Sequence, residues 1–418
     1  MNNDCLVLLT KVYPFDKGEE FIEREIPVLA HSFHRIILIA TSTADQAVQT
    51  RQVPENVEVH QIKASSVQRK IPVQVFSFFP FTGYRGLAGP DERAAEKGSL
   101  KKKAFLTYFS AKAMAVYRLC SKILENCNLA AFDAVTYYSY WLYDTAAAAI
   151  KLREQSPCTK TKTVSRAHRY DLYASRNAMN YLPLRYYILQ HLDGAYPCSE
   201  DGSRYLKHAY PSFQDKIHTA YLGTEDYGLG PTPQGGTLRI VSCCHISPVK
   251  RVELLAQSLS LLKGSGLSLS WTHFGAGEGL DALRSYAEEH LSFMEYSFPG
   301  NVPNAELMQY YQEYPVDLFI NTSSSEGLPV SIIEACSFGI PSIATNVGGT
   351  SEIVKESETG FLLEEAFAPQ ELADLILFFS GKNKEELQAL RSRCRSLWKT
   401  QFDAKQNFER FAQEIKPE

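Results

Sequence analysis

Two glutamates eight residues apart, Glu326 and Glu334, are the side chains whose types and spacing suggest chemistry most directly in this 418-residue sequence. Before them, the apolar run 316–320 has the length and β-branched content of a buried parallel strand. A small polar loop follows, and Pro329 suits the first position of a helix, where no backbone N–H is needed. The helix is predicted to stop at Gly339. The two carboxylates therefore flank a strand-to-helix turn.

Such a turn favours an anion, because the free backbone N–H groups and the helix dipole both attract negative charge. A carboxylate is a poor neighbour for phosphate, but it accepts hydrogen bonds from sugar hydroxyl groups, each worth roughly 1.5–3 kcal/mol. A phosphate at the helix start, with one carboxylate on either side, fits a ligand that is sugar, diphosphate and ribose in sequence. The spacing therefore indicates a nucleotide sugar.

The same stretch resembles the E-x7-E region of retaining glycosyltransferases with the GT-B fold, in the large family-four group that builds bacterial polysaccharides. The resemblance rests on Glu326-Gly327-Leu328-Pro329, Glu334-Ala335, Gly339-Ile340-Pro341 and Gly348-Gly349 with Glu352. It implies that Glu326 meets the donor sugar and that Glu334 meets the ribose. It also implies donor contacts from the loop and helix start, namely Gly327, Leu328, Pro329 and Val330.

Lys250 and Arg251 follow the first predicted strand of the second half. Cations at a strand-to-helix turn suit a diphosphate and stabilise the charge that builds on it as the sugar leaves. The resembling family has Arg and then Lys in this segment. Lys250 fits the Lys, whereas His245 stands in the place of the Arg. Either Arg251 supplies the second cation, or the diphosphate is held more weakly than in the family.

Two further turns of the second half are similar to donor-binding segments of that family. The turn 274–279 implies that Gly275 and Gly277 lie beside the donor, although a G-x-G alone is a weak motif. The segment 298–302, which ends at Val302, is similar to the one whose backbone meets the nucleobase. Because backbone contacts to a base cannot be read from side chains, UDP, GDP and ADP all stay open, with a UDP-sugar as the expected donor.

In the first half, the segment 165–171 matches the family's H-x-x-D segment. This implies that His168 lies close to the donor sugar and the acceptor, and that Asp171 holds the loop. A His can hydrogen-bond a sugar in either tautomer and pass on a proton. The loop 14–22 is similar to one in the polysaccharide branch whose glycine lets the backbone approach the donor phosphate, which implies a donor contact at Gly18.

The resemblance implies a retaining, metal-independent hexosyltransferase that moves a sugar from a nucleotide sugar to a glycan or lipid-linked acceptor in bacterial surface polysaccharide or glycoconjugate biosynthesis. The expected catalytic residues are His168, Glu326 and Lys250. The expected donor-binding residues are Gly18, Arg251, Gly275, Gly277, Val302, Gly327, Leu328, Pro329, Val330 and Glu334. Two alternatives remain open: a non-catalytic GT-B partner subunit of a glycosyltransferase complex, and a GT-B nucleotide-sugar epimerase.

The alternation of apolar runs with helical stretches predicts two α/β domains, each a Rossmann-like, doubly wound parallel sheet. In the GT-B architecture two such domains face each other across a cleft. The expected divisions are an acceptor domain (1–230), a linker (231–236), a donor domain (237–400) and a C-terminal helix (401–418) that packs back on the first domain. The predicted strands are Cys5–Leu9, Ile36–Ala40, Asp133–Tyr138, Thr163–His168, Gly194–Cys198, Leu238–Cys244, Leu267–Phe274, Phe293–Phe298, Val316–Asn321 and Ser342–Thr345.

Composition narrows the class of protein further. A formal net charge of −4 argues against general nucleic-acid binding. Nine scattered cysteines without a C-x-x-C pair predict reduced thiols in a cytoplasmic protein. No metal site is expected, because the sequence has neither a D-x-D motif nor a histidine cluster of ligand spacing. The sequence contains no apolar run of about 18 residues, the length that a membrane-spanning helix needs, so no membrane span is predicted.

The segment Val73–Lys103 resembles the family least. Aromatic residues cluster in it and are followed by three consecutive lysines, 101–103. Aromatic side chains beside a basic run suit a membrane surface or a lipid-linked acceptor. The alternative is a core strand followed by a solvated run of charge. The sequence therefore leaves peripheral contact with the inner face of a membrane open.

Overall fold

The computed structural model describes residues 3–77 and 99–418. These residues form two compact units, Met1–Leu222 with Ala404–Glu418, and Gly223–Asp403. The predicted linker 231–236 lies within the second unit. Among the described residues, no helix combines the length and the apolar character that a bilayer span requires.

The first unit contains a six-stranded sheet in which every neighbouring pair is parallel. Its order is β3-β2-β1-β4-β5-β6, so the direction of strand addition reverses between β1 and β4. Apolar, β-branched runs form the inner strands because both faces of a parallel sheet are covered by helices. The strands are β1 (Asp4–Thr10), β2 (Arg35–Thr43), β3 (Val57–Lys63), β4 (Ala134–Ser139), β5 (Thr161–Ala167) and β6 (Gly194–Pro197).

Helices connect these strands in the first unit. Those described are α1 (Glu20–Ser32), α2 (Ala64–Ser77), α3 (Leu100–Leu124), α4 (Asp144–Glu154), α5 (Arg169–Leu172), α6 (Arg185–His191) and α7 (Glu200–Ala209), with short 3₁₀ turns at Leu129–Ala131, Ala174–Arg176 and Pro211–Lys216. The chain returns to this unit at the end as α15 (Ala404–Glu414), which packs against α1.

A buried ion pair joins α1, β5 and α15. The guanidinium of Arg166 lies 3.2 Å from the Glu25 carboxylate, and both side chains are almost fully buried. The same guanidinium lies 3.8 Å from the ring centroid of Phe411 on α15. Tyr138 donates to Glu25 as well, at 3.0 Å. Breaking a buried pair leaves an uncompensated charge, so these contacts hold the C-terminal helix on the first unit.

The second unit contains a second six-stranded parallel sheet, in the order β12-β11-β10-β7-β8-β9. Here the direction of strand addition reverses between β7 and β10. The strands are β7 (Thr237–Cys243), β8 (Ser268–Phe274), β9 (Glu295–Gly300), β10 (Leu318–Asn321), β11 (Ser342–Thr345) and β12 (Gly360–Leu363). The helices are α8 (Val252–Ser260), α9 (Leu280–His290), α10 (Asn304–Glu313), α11 (Val330–Ser337), α12 (Thr350–Ile353), α13 (Pro369–Ser380) and α14 (Lys384–Leu397), which continues into a wider turn at Trp398–Phe402.

All ten predicted strands are present, each within a few residues of its expected bounds. The two strands that were not predicted, β3 and β12, lie at the edges of their sheets. An edge strand is covered on fewer sides, and β3 is accordingly half polar. Pro329 lies one residue before α11 rather than inside it.

The segment Val73–Lys103 is only partly described. Residues up to Ser77 belong to α2 and the three lysines belong to the first turn of α3, so the expectation of a core strand is wrong for 73–77. The aromatic residues between Phe78 and Tyr84 lie outside the described residues.

Candidate functional site

Lys250 and Glu326 meet at the point where strand order reverses in the second sheet. Lys250 follows β7 and Glu326 follows β10, and these strands are neighbours. The ammonium Nζ of Lys250 lies 2.6 Å from Oε1 of Glu326, and the side chain of Glu326 is only 8% exposed. Asn321 Nδ2 donates to the same oxygen at 3.3 Å. Open α/β sheets bind ligands at this position, beyond the carboxyl ends of the strands.

Arg251 supports the loops around this pair. Its Nε donates to the carbonyl of Thr322 at 2.8 Å, its Nη1 to Glu365 at 2.7 Å and its Nη2 to Ser323 at 3.4 Å. The backbone of Arg251 itself is left-handed, at φ 48°. The guanidinium therefore directs three of its five N–H donors at loop carbonyls. Its expected contact with a diphosphate stays a prediction.

Glycines let the loops of the second unit approach one another closely. A Cβ on Gly275 would lie 1.9 Å from the carbonyl oxygen of Cys244, and one on Gly277 would lie 2.1 Å from that of Ile246. Gly348, at φ +55°, packs in the same way, and a Cβ there would lie 2.2 Å from the carbonyl oxygen of Glu326. A larger residue at any of these positions would push a site loop away from its strand end.

Glu334 lies in the second turn of α11 and is buried. Its Oε1 accepts a hydrogen bond from Asn304 Nδ2, the first residue of α10, at 2.7 Å. Nearby, Asn301 accepts from the backbone N–H of Ala276 at 2.9 Å, which ties the segment containing Val302 to the glycine turn after β8. The predicted donor residues of the second half therefore occupy loops and helices that follow the carboxyl ends of the strands in the second sheet.

In the first unit, Glu19 organises the corresponding reversal point between β1 and β4. Its carboxylate accepts backbone N–H bonds from Lys11, Val12 and Tyr13, each at 2.8 Å, and the indole N–H of Trp141 at 2.6 Å. Glu19 is thus the anchor between the loops that follow the two strands. Sequence reasoning overlooked it, and its only local signal is its place at the start of α1.

Gly18 precedes this anchor and has φ +107°, a conformation that favours glycine. Its N–H donates to Glu20 at 2.8 Å and its carbonyl accepts from Arg51 at 2.9 Å. Both backbone polar groups therefore have partners within the chain. The expected approach of Gly18 to a donor phosphate stays a prediction.

His168 follows β5 and has protein partners at both ring nitrogens. Nε2 lies 3.1 Å from the carbonyl oxygen of Tyr140, and Nδ1 lies 3.4 Å from the thiol of Cys198. The ring also packs against Tyr140 and Trp141, with centroids 4.5 and 4.8 Å away. Burial, together with the nearby Arg166 charge, lowers the pKa of His168 to about 3. The imidazole is therefore neutral near pH 7.

Asp171 holds the loop that carries His168. Its carboxylate accepts the backbone N–H of His168 at 2.6 Å and that of Leu142 at 2.5 Å. It thus connects the loops after β5 and β4. Burial raises the pKa of this carboxyl to about 6, against the opposing effect of Arg185 and the two backbone donors.

The ammonium group of Lys11 lies over the rings of two aromatic side chains near the carboxyl ends of the strands in the first sheet. Its Nζ lies 4.7 Å from the ring centroid of Trp141 and 5.6 Å from that of Tyr170, which is 60% exposed. Cation–π contacts of this kind hold the ammonium over the rings. Neither Lys11 nor Trp141 was predicted as a site residue.

A third cluster lies at the β3 edge of the first sheet. Ligand atoms of Glu58, His60 and Cys127 all lie within 4.8 Å of one another. Such a set could hold a metal ion, but the Glu58 carboxylate already pairs with Arg35 and lies 2.8 Å from His60 Nε2. No sequence spacing indicates this cluster, because its members come from β3 and from the turn just after α3.

The predicted site residues thus fall into two sets, each within one unit. Lys250, Glu326 and the other donor-site predictions of the second half lie in the second unit, while His168 and Gly18 lie in the first. The residues that sequence reasoning did not single out are partners of these groups: Glu19, Trp141, Cys198, Asn304 and Asn321. Each was hidden because it acts through a contact that its local sequence does not show.

Comparison with known proteins adds to this geometry. Residues 232–396 match the family model described as glycosyl transferases group 1. The putative colanic acid biosynthesis glycosyltransferase WcaL of Escherichia coli K12 is 26% identical over 256 residues. That match covers 59% of this chain and 62% of WcaL, less than two thirds of the relative's length.

Two solved structures have the same fold. The apo form of the lipopolysaccharide outer core galactosyltransferase WaaB superposes with a TM-score of 0.67 at 15% identity, over 99% of each chain. Anabaena Alr3699/HepE in complex with UDP superposes with a TM-score of 0.63, also at 15% identity and over 99% of each chain. At these identities the likeness shows the fold.

Proposed function

We propose that this chain transfers a sugar from a nucleotide-sugar donor to a saccharide acceptor with retention of configuration. The match of residues 232–396 to group 1 glycosyl transferases and the GT-B fold support this proposal. The acceptor is a glycan or lipid-linked saccharide, and the pathway is bacterial surface polysaccharide or glycoconjugate biosynthesis. The named relative in colanic acid biosynthesis supports this acceptor class. The protein is proposed to work in the cytoplasm.

The contact between Lys250 and Glu326 is the observation that carries the proposal. An ammonium has three N–H donors, and Glu326 occupies one of them. The remaining donors can hold a diphosphate oxygen while the carboxylate accepts a hydroxyl of the sugar attached to it. A cation and a carboxylate side by side thus match the junction between sugar and diphosphate, which is the bond to be broken.

Glu334 extends the same site towards the nucleoside. Its buried carboxylate, held by Asn304, is proposed to accept the two ribose hydroxyl groups. A carboxylate has about four lone-pair positions, so it can accept both hydroxyls while it keeps the Asn304 contact. The UDP bound to the structurally similar HepE supports a UDP-sugar as the donor.

In the proposed mechanism the leaving diphosphate itself removes the acceptor proton on the face from which it departs. Lys250 stabilises the charge that develops on the diphosphate, which is where fixed cations lower a barrier most. Glu326 orients the sugar. His168 is proposed to position the sugar and acceptor, and no metal ion is required in this scheme.

A panel of nucleotide sugars tests the proposal. Purified protein is incubated with each donor and a short saccharide acceptor, and released nucleotide, acceptor product and donor isomer are measured separately. Transfer with an α-to-α or β-to-β outcome supports the proposal. Donor isomerisation without acceptor would identify the epimerase, and nucleotide binding without turnover would identify the partner subunit.

A matched pair of variants makes the test specific to the site. Glu326→Gln keeps the size of the side chain and removes its charge, so transfer should fall by about 10²-fold or more. Glu288→Gln makes the same change at an exposed position on α9 and should leave transfer unchanged. Equal activity of the two variants would remove Glu326 from the reaction.

A further inference from the structure

The ring of His168 is fixed by two contacts of opposite kind. A carbonyl oxygen only accepts, so the 3.1 Å contact with Tyr140 requires that Nε2 of His168 carries a proton. A neutral imidazole then has a lone pair at Nδ1. The thiol of Cys198 lies 3.4 Å from that atom, within range for an S–H donor. The two contacts together define one tautomer.

Cys198 is itself held in place by the sheet. It is the first residue after β6, and its backbone N–H donates to the carbonyl of Ala167, the residue before His168, at 3.2 Å. This bond continues the pairing of β5 and β6 by one residue. The side chain is partly buried against Leu222, Ala404 and Phe408. The thiol therefore faces the imidazole because of strand register.

The charges around the ring oppose its protonation. Arg166 lies two residues before it on β5, and Lys11 lies on the loop after β1; both are positive and both act on the imidazole. The nearest carboxylate on its own loop, Asp171, accepts the backbone N–H of His168 and is not directed at the ring nitrogens. Burial raises the pKa of the Cys198 thiol to about 12, so the sulfur keeps its proton to donate.

We infer that Cys198 is a positioning residue which holds His168 as a neutral Nε2–H imidazole, and that His168 therefore acts by placing its ring and its loop rather than by carrying a proton. Both polar atoms of the ring are satisfied by the protein. The rings of Tyr140 and Trp141 fix its plane. Glu19 in turn fixes Trp141. This inference deepens the proposed function, since it assigns the role of His168 within that reaction.

Nuclear magnetic resonance of protein labelled with ¹⁵N in histidine tests the tautomer without any substrate. The chain has ten histidines, so the His168 ring is assigned by comparison with His168→Gln. We expect a proton on Nε2, a bare Nδ1, and no titration between about pH 5 and 8. A proton on Nδ1, or a ring that becomes cationic within that range, would overturn the inference. This measurement is independent of whether the protein transfers sugar.

Two substitutions separate the hydrogen bond from simple packing. Cys198→Ser keeps a donor of similar reach, so its His168 signals should match those of the wild type. Cys198→Ala removes the donor, so the ¹⁵N chemical shift of the bare Nδ1 of His168 should change from its wild-type value. An unchanged Nδ1 shift in Cys198→Ala would show that Cys198 only fills space. Thermal unfolding of each variant confirms that it is folded.

Kinetics provide the second readout. With an active donor and acceptor pair, Cys198→Ala should lower kcat about threefold to tenfold, the size of one lost hydrogen bond, and Cys198→Ser should restore it. The KM for the donor should stay unchanged in both. The pH profile of the wild type should show no histidine titration. An ionisation between about pH 5 and 8 that is present in the wild type and absent in His168→Gln would contradict a positioning role.

Discussion

Lys250 Nζ lies 2.6 Å from Glu326 Oε1, beyond the carboxyl ends of β7 and β10. These neighbouring strands are the two between which the direction of strand addition reverses in the second sheet. The two residues are 76 positions apart in sequence. The ion pair is nearly buried on the carboxylate side, with Asn321 as the further described partner of the same oxygen. Each charge thus compensates the other before any ligand is bound. Removal of one would leave the other partly buried without its opposite charge, which is energetically unfavourable.

Lys250→Ala should therefore lower turnover by about 10²- to 10³-fold, because a fixed cation at developing charge contributes roughly 3–4 kcal/mol. The measurement is kcat with saturating donor. Lys263→Ala, at an exposed position of the same unit, is the control. Because the residues act as a pair, the double variant Lys250→Ala/Glu326→Gln should lose less than the sum of the single losses. Strict additivity would show that the contact has no role in the reaction.

Glu334→Ala should weaken binding of free nucleoside diphosphate by about 10- to 100-fold, the value of one or two charge-assisted hydroxyl contacts. Isothermal calorimetry with UDP measures the change. Asn304→Ala should give a smaller loss in the same direction, because Asn304 orients the carboxylate. Unchanged affinity in a folded Glu334→Ala variant would remove Glu334 from the nucleotide site.

The burial of His273 predicts that the folded protein loses stability as the pH falls. The residue is fully buried on β8 and contacts Ser242 Oγ at 2.8 Å, and burial lowers its pKa to about 4. Its pKa in the unfolded chain is about 6.5, so below that pH the unfolded state binds a proton that the folded state excludes. Stability from this residue is complete above about pH 6.5 and is lost as pH falls to 4, by up to about 3 kcal/mol.

Denaturant unfolding at several pH values checks this expectation. The free energy of unfolding of the wild type should fall more steeply between about pH 6.5 and 4 than that of His273→Asn, which cannot be protonated. The variant is expected to be less stable at neutral pH because its packing changes. Parallel pH dependences in the two proteins would show that His273 does not contribute.

Transfer should persist in EDTA, because Lys250 is proposed to do the work of a cation at the diphosphate. The measurement is initial rate with and without chelator. The Glu58, His60 and Cys127 cluster supplies the control: Cys127→Ala should not change the rate either, since the cluster lies at the β3 edge of the first sheet. Activity that is lost in EDTA and restored by magnesium or manganese would contradict a metal-independent reaction.

The lysines at 101–103 are predicted to attach the protein to anionic membranes. They occupy the first turn of α3, where cations oppose the helix dipole, and no acidic residue accompanies them there. Leu100 beside them is 84% exposed. An unfavourable arrangement of this kind becomes favourable when anionic lipid headgroups lie against the helix start, at about 1 kcal/mol for each lysine.

Sedimentation with vesicles containing anionic lipid measures this attachment. Binding should weaken as salt rises, and replacement of all three lysines by Gln should release the protein while sparing transfer to a soluble acceptor. Replacement of three exposed lysines elsewhere, at 263, 384 and 405, is the charge-matched control. No binding of the wild type at low salt would return the lysines to an ordinary solvated surface.

The sequence alone determined the fold class, a GT-B pair of doubly wound parallel sheets, and it indicated the family that residues 232–396 match. Apolar strands, glycine turns and the motif around Glu326 are local signals, because neighbouring residues generate them without reference to the rest of the chain. The fold class is confirmed, and residues 232–396 match the model described as glycosyl transferases group 1. The two missed strands, β3 and β12, are edge strands, and in β3 the polar exposed side removes the apolar run on which prediction depends.

Only the tertiary structure decided which partners each site residue has. Cys198 faces His168 across 30 positions, and Glu19 holds Trp141 across 122. Arg251, expected at the diphosphate, donates to three loop carbonyls that lie more than 70 positions away. Hydrogen-bond partners of this kind follow from strand order and register, which bring the loops after the carboxyl ends of parallel strands close to one another. The local sequence supplies the side chains, and the order and register of the strands determine which of them come into contact.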